Sequence, residues 1–353
     1  MQNMKTQIYG TFGPACKTRE ILEEMIKAGM NGMRLNLSHT TLEKSKDYIE
    51  NYKLAAKSQG VLPQILIDMQ GPELRIGDLE ETVLEKGGIV FLKKKTNEKF
   101  EKEETYVSGN DADLKWMKAC QVPVPDAVLS AIKPGNEILL DDGKIRIRVE
   151  EVMSHGAYAK VLVGGSIKPY KSIKIIDVNV SMPVLTEHDI KNIRLSKEYG
   201  VTALMQPFVF SGEDLKQVRA ILKKEKVEHL KIFAKIENRI GVENLESILP
   251  EADLLVIARG DLGNDMPLWE LPAVQKRIEN ICKRHQKSYM VVTQMLASME
   301  QNPIPTRAEV SDIFHAVYHG AEAVMVTGET AVGNYPVEAI KYLANTAKEA
   351  ENV

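Results

Sequence analysis

At 353 residues, with 44% hydrophobic and 27% charged side chains, the chain has room for a large core and two domains. A formal net charge of −3 argues against a nucleic-acid partner, and three scattered cysteines, Cys16, Cys120 and Cys282, suit neither a disulfide framework nor a zinc site. The N-terminus lacks an apolar signal core and no run of about 18 apolar residues could span a bilayer, so the cytosol is the expected compartment and no membrane partner is expected.

From Thr6 onward, short apolar strands alternate with helical patterns. Gln7 to Gly10 leads to a helix near Arg19 to Ala28, and Gly32 to Leu35 leads to one near Leu42 to Ser58. Gln64 to Ile67 is the third strand. Residues 73–174 then interrupt the alternation with β-branched residues and glycine turns. Within them, Asp142-Gly143 between two alternating segments is a strong hairpin signal. The alternation resumes with a helix over Glu187 to Tyr199, with Thr186 as N-cap and Asp189 three residues later. Strands follow near Ala203 to Met205, Lys231 to Ala234, Leu254 to Ile257, Tyr289 to Val292 and Ala323 to Val326, separated by helices, and a helix near Val337 to Glu349 comes last. The pattern predicts an α/β fold, a (β/α)8 TIM barrel over 1–72 and 175–353. Residues 73–174 read as an inserted small all-β domain. An insert after the carboxyl end of a barrel strand is suited to act as a lid.

Charged groups cluster just where those strands end. Asp68-Met69-Gln70-Gly71-Pro72-Glu73-Leu74-Arg75 follows the third strand and Lys235-Ile236-Glu237-Asn238 another. Ala258-Arg259-Gly260-Asp261-Leu262-Gly263 and Thr293-Gln294-Met295-Leu296 follow two more. Ligands of α/β enzymes collect beyond the carboxyl ends of strands. Glu237 and Asp261 are hard oxygen donors of the kind Mg²⁺ takes, the plain alternative being two surface acids in βα loops. Lys235 shares a face with Glu237, where a cation suits a phosphoryl group in flight; a snorkelling lysine is the plain alternative. Gly260 and Asp261 open a helix whose free amides could hold a carboxylate, or simply form a turn. Thr293 is a hydrogen-bond donor to the same anion or a helix cap. Arg34, Asn36 and Ser38 alternate with leucines and share one polar face suited to phosphate and cation contacts, whereas His39 reads as a surface residue. Thr306-Arg307-Ala308-Glu309 has capping-box spacing.

In this order the motifs resemble the pyruvate kinase family. Thr11-Phe12-Gly13-Pro14, Met33-Arg34-Leu35-Asn36-Leu37-Ser38-His39 and Gly71-Pro72-Glu73-Leu74-Arg75 look like its N-terminal signatures. The strand-end motifs above, with Pro305-Thr306-Arg307-Ala308-Glu309 and Gly328-Glu329-Thr330-Ala331, look like the rest. The resemblance runs from about Thr6 to Glu349. It implies phosphoryl transfer between phosphoenolpyruvate and ADP, giving pyruvate and ATP, by a barrel with an inserted lid. It also implies that Glu237 and Asp261 hold Mg²⁺ (or Mn²⁺), and that Lys235 and Arg34 neutralise the phosphoryl group. The Gly260 and Asp261 amides, with Thr293, would grip the carboxylate and relay a proton. Asn36, Ser38 and Asp68 would line a K⁺ site; Asn36, His39 and Arg75 fall on the nucleotide side. Asp141 or Asp142 matches the acid of the family lid.

Four departures stand against this background. The family's C-terminal domain has no counterpart after the eighth barrel helix, so conventional allostery is not expected; a homo-oligomer stays open. Members read Thr-Lys-Gly-Pro-Glu, or Leu-Gln-Gly-Pro-Lys with a lysine replacing the monovalent cation, and Met69-Gln70-Gly71-Pro72-Glu73 is a hybrid in which Met69 lacks the threonine hydroxyl. The family's Ser-Phe-Ile/Val-Arg becomes Pro207-Phe208-Val209-Phe210. The lid's Lys-Gly-Val/Ile-Asn-Leu-Pro-Gly becomes Lys171-Ser172-Ile173-Lys174-Ile175-Ile176-Asp177. Two alternative functions accompany the first: an ATP-dependent kinase acting on a hydroxyl of another metabolite, and a non-catalytic phosphoenolpyruvate-binding regulator.

Overall fold

The structure is a computed structural model that describes residues 5–38, 40–95, 119–141, 143–176, 178, 180 and 182–353. It divides into two compact units, Met1–Gly71 with Val184–Val353, and Pro72–Pro183.

The first unit is a closed barrel of eight parallel strands. They are β1 (Gln7–Thr11), β2 (Gly32–Asn36), β3 (Gln64–Asp68), β4 (Ala203–Gln206), β5 (Lys231–Ile236), β6 (Leu254–Ala258), β7 (Tyr289–Val292) and β8 (Ala323–Met325). Consecutive strands pair with each other, and β8 closes on β1. The strands lie where the sequence predicts, but β3 and β5 run one and two residues further, so Asp68 and Lys235 belong to the sheet rather than to loops.

Side chains alternate across the barrel wall because the strand period is two. Leu66, Met205, Phe233, Val256, Met290 and Met325 fill the interior. Ile65, Ile67, Leu204, Ile232, Leu255 and Val291 belong to the larger apolar cluster shared with the helices. Burial on both faces is why these strands read as nearly unbroken apolar runs. Met69 joins that outer cluster, 1% exposed.

Helices are punctuated as the sequence indicates. Thr186 and Asp189 form a reciprocal capping box at the start of Glu187–Tyr199, which ends on Gly200 in the left-handed conformation at φ 67°. Thr306 and Glu309 do the same for Arg307–Tyr318. The helix expected from Leu42 begins instead with a 3-10 turn over Glu43–Ser45 and becomes α-helical at Lys46–Ser58.

The second unit carries a six-stranded sheet in the order Ile173–Ile175, Glu137–Leu140, Ile145–Met153, Gly156–Val163, Ile89–Lys94, Cys120–Val124. Gly165–Ile167 pairs separately with Thr82–Leu84. Leu140 lies opposite Ile145, which makes the predicted hairpin, with Asp141 (φ 48°) and Gly143 (φ 84°) turning the chain. Among the described residues of this unit, the only helix is the short Asp126–Ala131. Its apolar core, built on Val90, Leu92, Ile138, Ile147 and Val161, is separate from the barrel's two clusters.

Candidate active site

Period-two alternation carries past the apolar filling to the carboxyl end of the barrel. Asp68 has the facing of Leu66, and Lys235 that of Phe233. The result is a buried charged chain. Arg34 donates from Nε and Nη2 to Asp68 Oδ2 at 2.8 and 2.6 Å. Lys235 Nζ lies 3.4 Å from Asp68 Oδ1 and 2.7 Å from Glu237 Oε1. The side chains of Asp68 and Glu237 are only 4% and 2% exposed. Buried charges persist where they are paired, and here two cations meet two carboxylates.

Burial alone would raise the Asp68 pKa, but Lys235 and Arg34 outweigh it and hold the carboxyl below the usual range. Burial likewise opposes the Lys235 charge, yet Asp68, Glu237 and Asp261 together keep its pKa above the ordinary lysine value. Glu237 goes the other way: burial, with Asp261 as a like charge, raises it despite Lys235. That residual strain is of the kind a divalent cation relieves. Apart from Lys235 Nζ, Glu237 Oε1 and Asp68 Oδ1 have no partner among the described residues, so each keeps a lone pair beyond that ion pair. Among the described residues no three His, Cys, Asp or Glu side chains gather into a metal cage. Glu237, with Asp261 near enough to act on it as a like charge, offers the one or two carboxylates that Mg²⁺ takes while water and substrate oxygens fill the rest.

The other oxygen of Glu237 is held by a group that sequence reasoning missed. The Phe208 backbone N–H donates to Glu237 Oε2 at 2.8 Å, with Phe208 at φ 53°. The Pro207-Phe208-Val209-Phe210 departure leaves this contact intact because it uses an amide, not a side chain. Gly71, at φ 62°, lies so close to Pro207 that a Cβ would fall 2.5 Å from Pro207 Cγ. Phe210 donates its N–H to Asp214 Oδ2 and so belongs to the cap of Gly212–Lys224.

Gly260 and Asp261 sit in the first turn of Arg259–Asn264, where amides lack intrahelical acceptors. Thr293 packs on this turn, since a Cβ on Gly260 would meet Thr293 Cγ2 at 3.0 Å. Thr293 and Gln294 are both left-handed, at φ 78° and 55°. Arg259, another residue to which the sequence assigned no role, holds Thr293 O with two hydrogen bonds. A basic residue directly preceding Gly260-Asp261 was its only sequence signal.

The other expected residues lie as follows. Asn36 stands in register with Asp68, and its Oδ1 accepts from the Ser38 N–H at 3.1 Å. Met69 is buried in the apolar cluster outside the barrel strands. Arg75 lies in the second unit, paired with Glu73 Oε2 through Nε and Nη2 at 3.0 and 2.8 Å. Asp141, in the same unit, is held by Lys171 at 2.8 Å and Lys144 at 3.1 Å. His39 and Asp142 lie outside the described residues.

Fold and cluster together define a (β/α)8 barrel whose charged groups converge at the carboxyl ends of β2, β3 and β5. Residues 3–340 match the family described as "Pyruvate kinase, barrel domain". Pyruvate kinases of Staphylococcus aureus (strain MRSA252) and Sporosarcina psychrophila are each 37% identical to the chain over 349 residues, 98% of the chain and 57% of the relative. The chain belongs to the pyruvate kinase family. It spans a little over half the length of these curated relatives.

Proposed function

We propose that the chain is a phosphotransferase of pyruvate kinase type, moving a phosphoryl group between phosphoenolpyruvate and ADP to give pyruvate and ATP in the cytoplasm. The observation that carries this reading is the buried chain Arg34–Asp68–Lys235–Glu237. It offers two preorganised, largely buried cations to an anionic group, and such preorganisation is usually the largest contribution to phosphoryl transfer.

In this reading the enol phosphate P–O bond breaks, the phosphoryl group passes to the terminal oxygen of ADP, and the enolate gains a proton at its methylene carbon. Arg34 and Lys235 offset the charge on the transferring group. The amides of Gly260 and Asp261 and the Thr293 hydroxyl hold the substrate carboxylate, and Thr293 stands on the path of the proton. Glu237 and Asp261 would hold Mg²⁺, which supplies charge neutralisation of the phosphoryl and enolate oxygens. Asn36, Ser38 and Asp68 would line a K⁺ site. Asn36, Arg75 and His39 would face the nucleotide. Residues 73–174 would form the lid, with Asp141 or Asp142 as its acid. Initial rates of pyruvate formation from phosphoenolpyruvate, ADP and Mg²⁺ test the reading directly. Absence of turnover together with ATP consumption on a hydroxylated metabolite would move the assignment to a kinase of another acceptor.

A further inference from the structure

Two consecutive non-glycine residues in the left-handed region are uncommon, and a β-branched residue there is an outlier that persists only where its surroundings over-determine it. Thr293 and Gln294 are such a pair, directly after β7. Three contacts constrain Thr293. Arg259 Nε and Nη2 both donate to its carbonyl oxygen, at 3.1 and 2.7 Å. Arg259 Nη1 donates to Asp312 Oδ2 at 2.6 Å, which ties the guanidinium to the helix Arg307–Tyr318. The Thr293 methyl also packs against Gly260, where a Cβ would meet it at 3.0 Å, a tight contact.

A planar fork on a single carbonyl fixes the direction of the peptide plane as well as its distance. The Arg259 side chain is 10% exposed and is committed to Asp312 and Thr293, so its charge is not spent on the phosphoryl cluster. We infer that Arg259 is a positioning residue: with Asp312 behind it, it locks Thr293 in the left-handed conformation that sets the Thr293 hydroxyl over the first turn carrying the Gly260 and Asp261 amides. This inference rests on the proposed role of Thr293 for its functional consequence, but its structural statement stands without it.

The test compares the wild-type chain with Arg259→Met, Arg259→Lys, Arg259→Ala and Asp312→Ala. Misplacing a reacting group by about 1 Å costs about a hundredfold. Arg259→Met should therefore lower kcat for phosphoenolpyruvate with ADP by about ten- to a hundredfold, with KM for ADP unchanged. Exchange of the pyruvate methyl protons in heavy water should fall in the same proportion. Arg259→Lys should not restore either rate, because an ammonium cannot present the fork, whereas millimolar guanidinium should partly restore Arg259→Ala. A merely structural role would move neither the exchange rate in proportion nor the guanidinium response. The crystal structure of Arg259→Met should show Thr293 at negative φ. If that variant does not fold, Asp312→Ala, which alters a partly exposed side chain, reads the same contact with a smaller loss. Wild-type rates in the variants, or Thr293 left-handed without its Arg259 contact, would overturn the inference. A wild-type chain without turnover would instead overturn the phosphotransferase reading, leaving the crystallographic outcome to decide the role of Arg259.

Discussion

Lys235 is the residue on which most of the proposed chemistry converges, and it ion-pairs with both Asp68 and Glu237. Lys235→Met should lower turnover by about 10²–10³, the loss typical of one preorganised donor, when measured at saturating Mg²⁺. Retention of most activity would remove it from the mechanism. Glu237 is predicted to be where protons and Mg²⁺ compete. Burial and Asp261 raise its pKa, so its metal-binding carboxylate form is lost at a higher pH than for an ordinary glutamate. The Mg²⁺ midpoint should thus rise as pH falls through that raised pKa, by up to about tenfold per pH unit below it. Glu237→Ala should raise the midpoint and abolish this dependence. Asp261→Ala should raise the midpoint too, but shift the dependence to lower pH, since the like charge on Glu237 is gone. Magnesium titrations with unchanged midpoints would exclude both as ligands.

Asp189 shows how one capping box serves more than its helix. It is fully buried and accepts from the Thr186 N–H and hydroxyl at 2.9 and 2.7 Å. It also accepts from the Gln70 and Gly71 N–H groups at 2.8 and 3.1 Å, fixing the segment that leaves β3. Asp189→Ala would leave several buried donors unpaired, each costing about 1–3 kcal/mol. A loss of about 2–4 kcal/mol in denaturant unfolding is expected, with a smaller loss for Asp189→Asn, which keeps one acceptor. If Asp189→Ala unfolds at the wild-type midpoint, the box is not holding this segment.

At the scale of the whole molecule, the barrel and the β unit have separate apolar cores. Replacing Glu73 to Lys174 by a short linker should therefore leave a cooperatively folding barrel that binds Mg²⁺ and a small carboxylate such as oxalate. If residues 73–174 act as the proposed lid, phosphoryl transfer should then be poor, since a lid excludes water from the reacting groups. Normal turnover by the lidless chain would make the insert an appendage. Among the described residues no helix is long and apolar enough to cross a membrane, in keeping with the apolar runs being barrel strands of three to six residues.

The chain's local chemistry was legible where it is local. Apolar runs and the Thr186 and Thr306 caps placed the barrel elements within a few residues, and the Asp142-Gly143 signal placed the hairpin of the β unit, because periodicity, capping and turn chemistry depend on near neighbours in sequence. The facing of Lys235 with Glu237 was legible for the same reason. Fold closure decided the rest. That Arg34, Asp68, Lys235 and Glu237 form one ion-paired chain depends on strand register and barrel curvature, which bring together residues some two hundred positions apart. Met69 invited comparison with a threonine hydroxyl, and its burial in the outer apolar cluster shows only in the fold. Phe208 acts through its amide and Arg259 through a carbonyl that exists in that orientation only because Thr293 is left-handed. Backbone groups carry no letter of their own, so their roles appear only once the tertiary structure aims them.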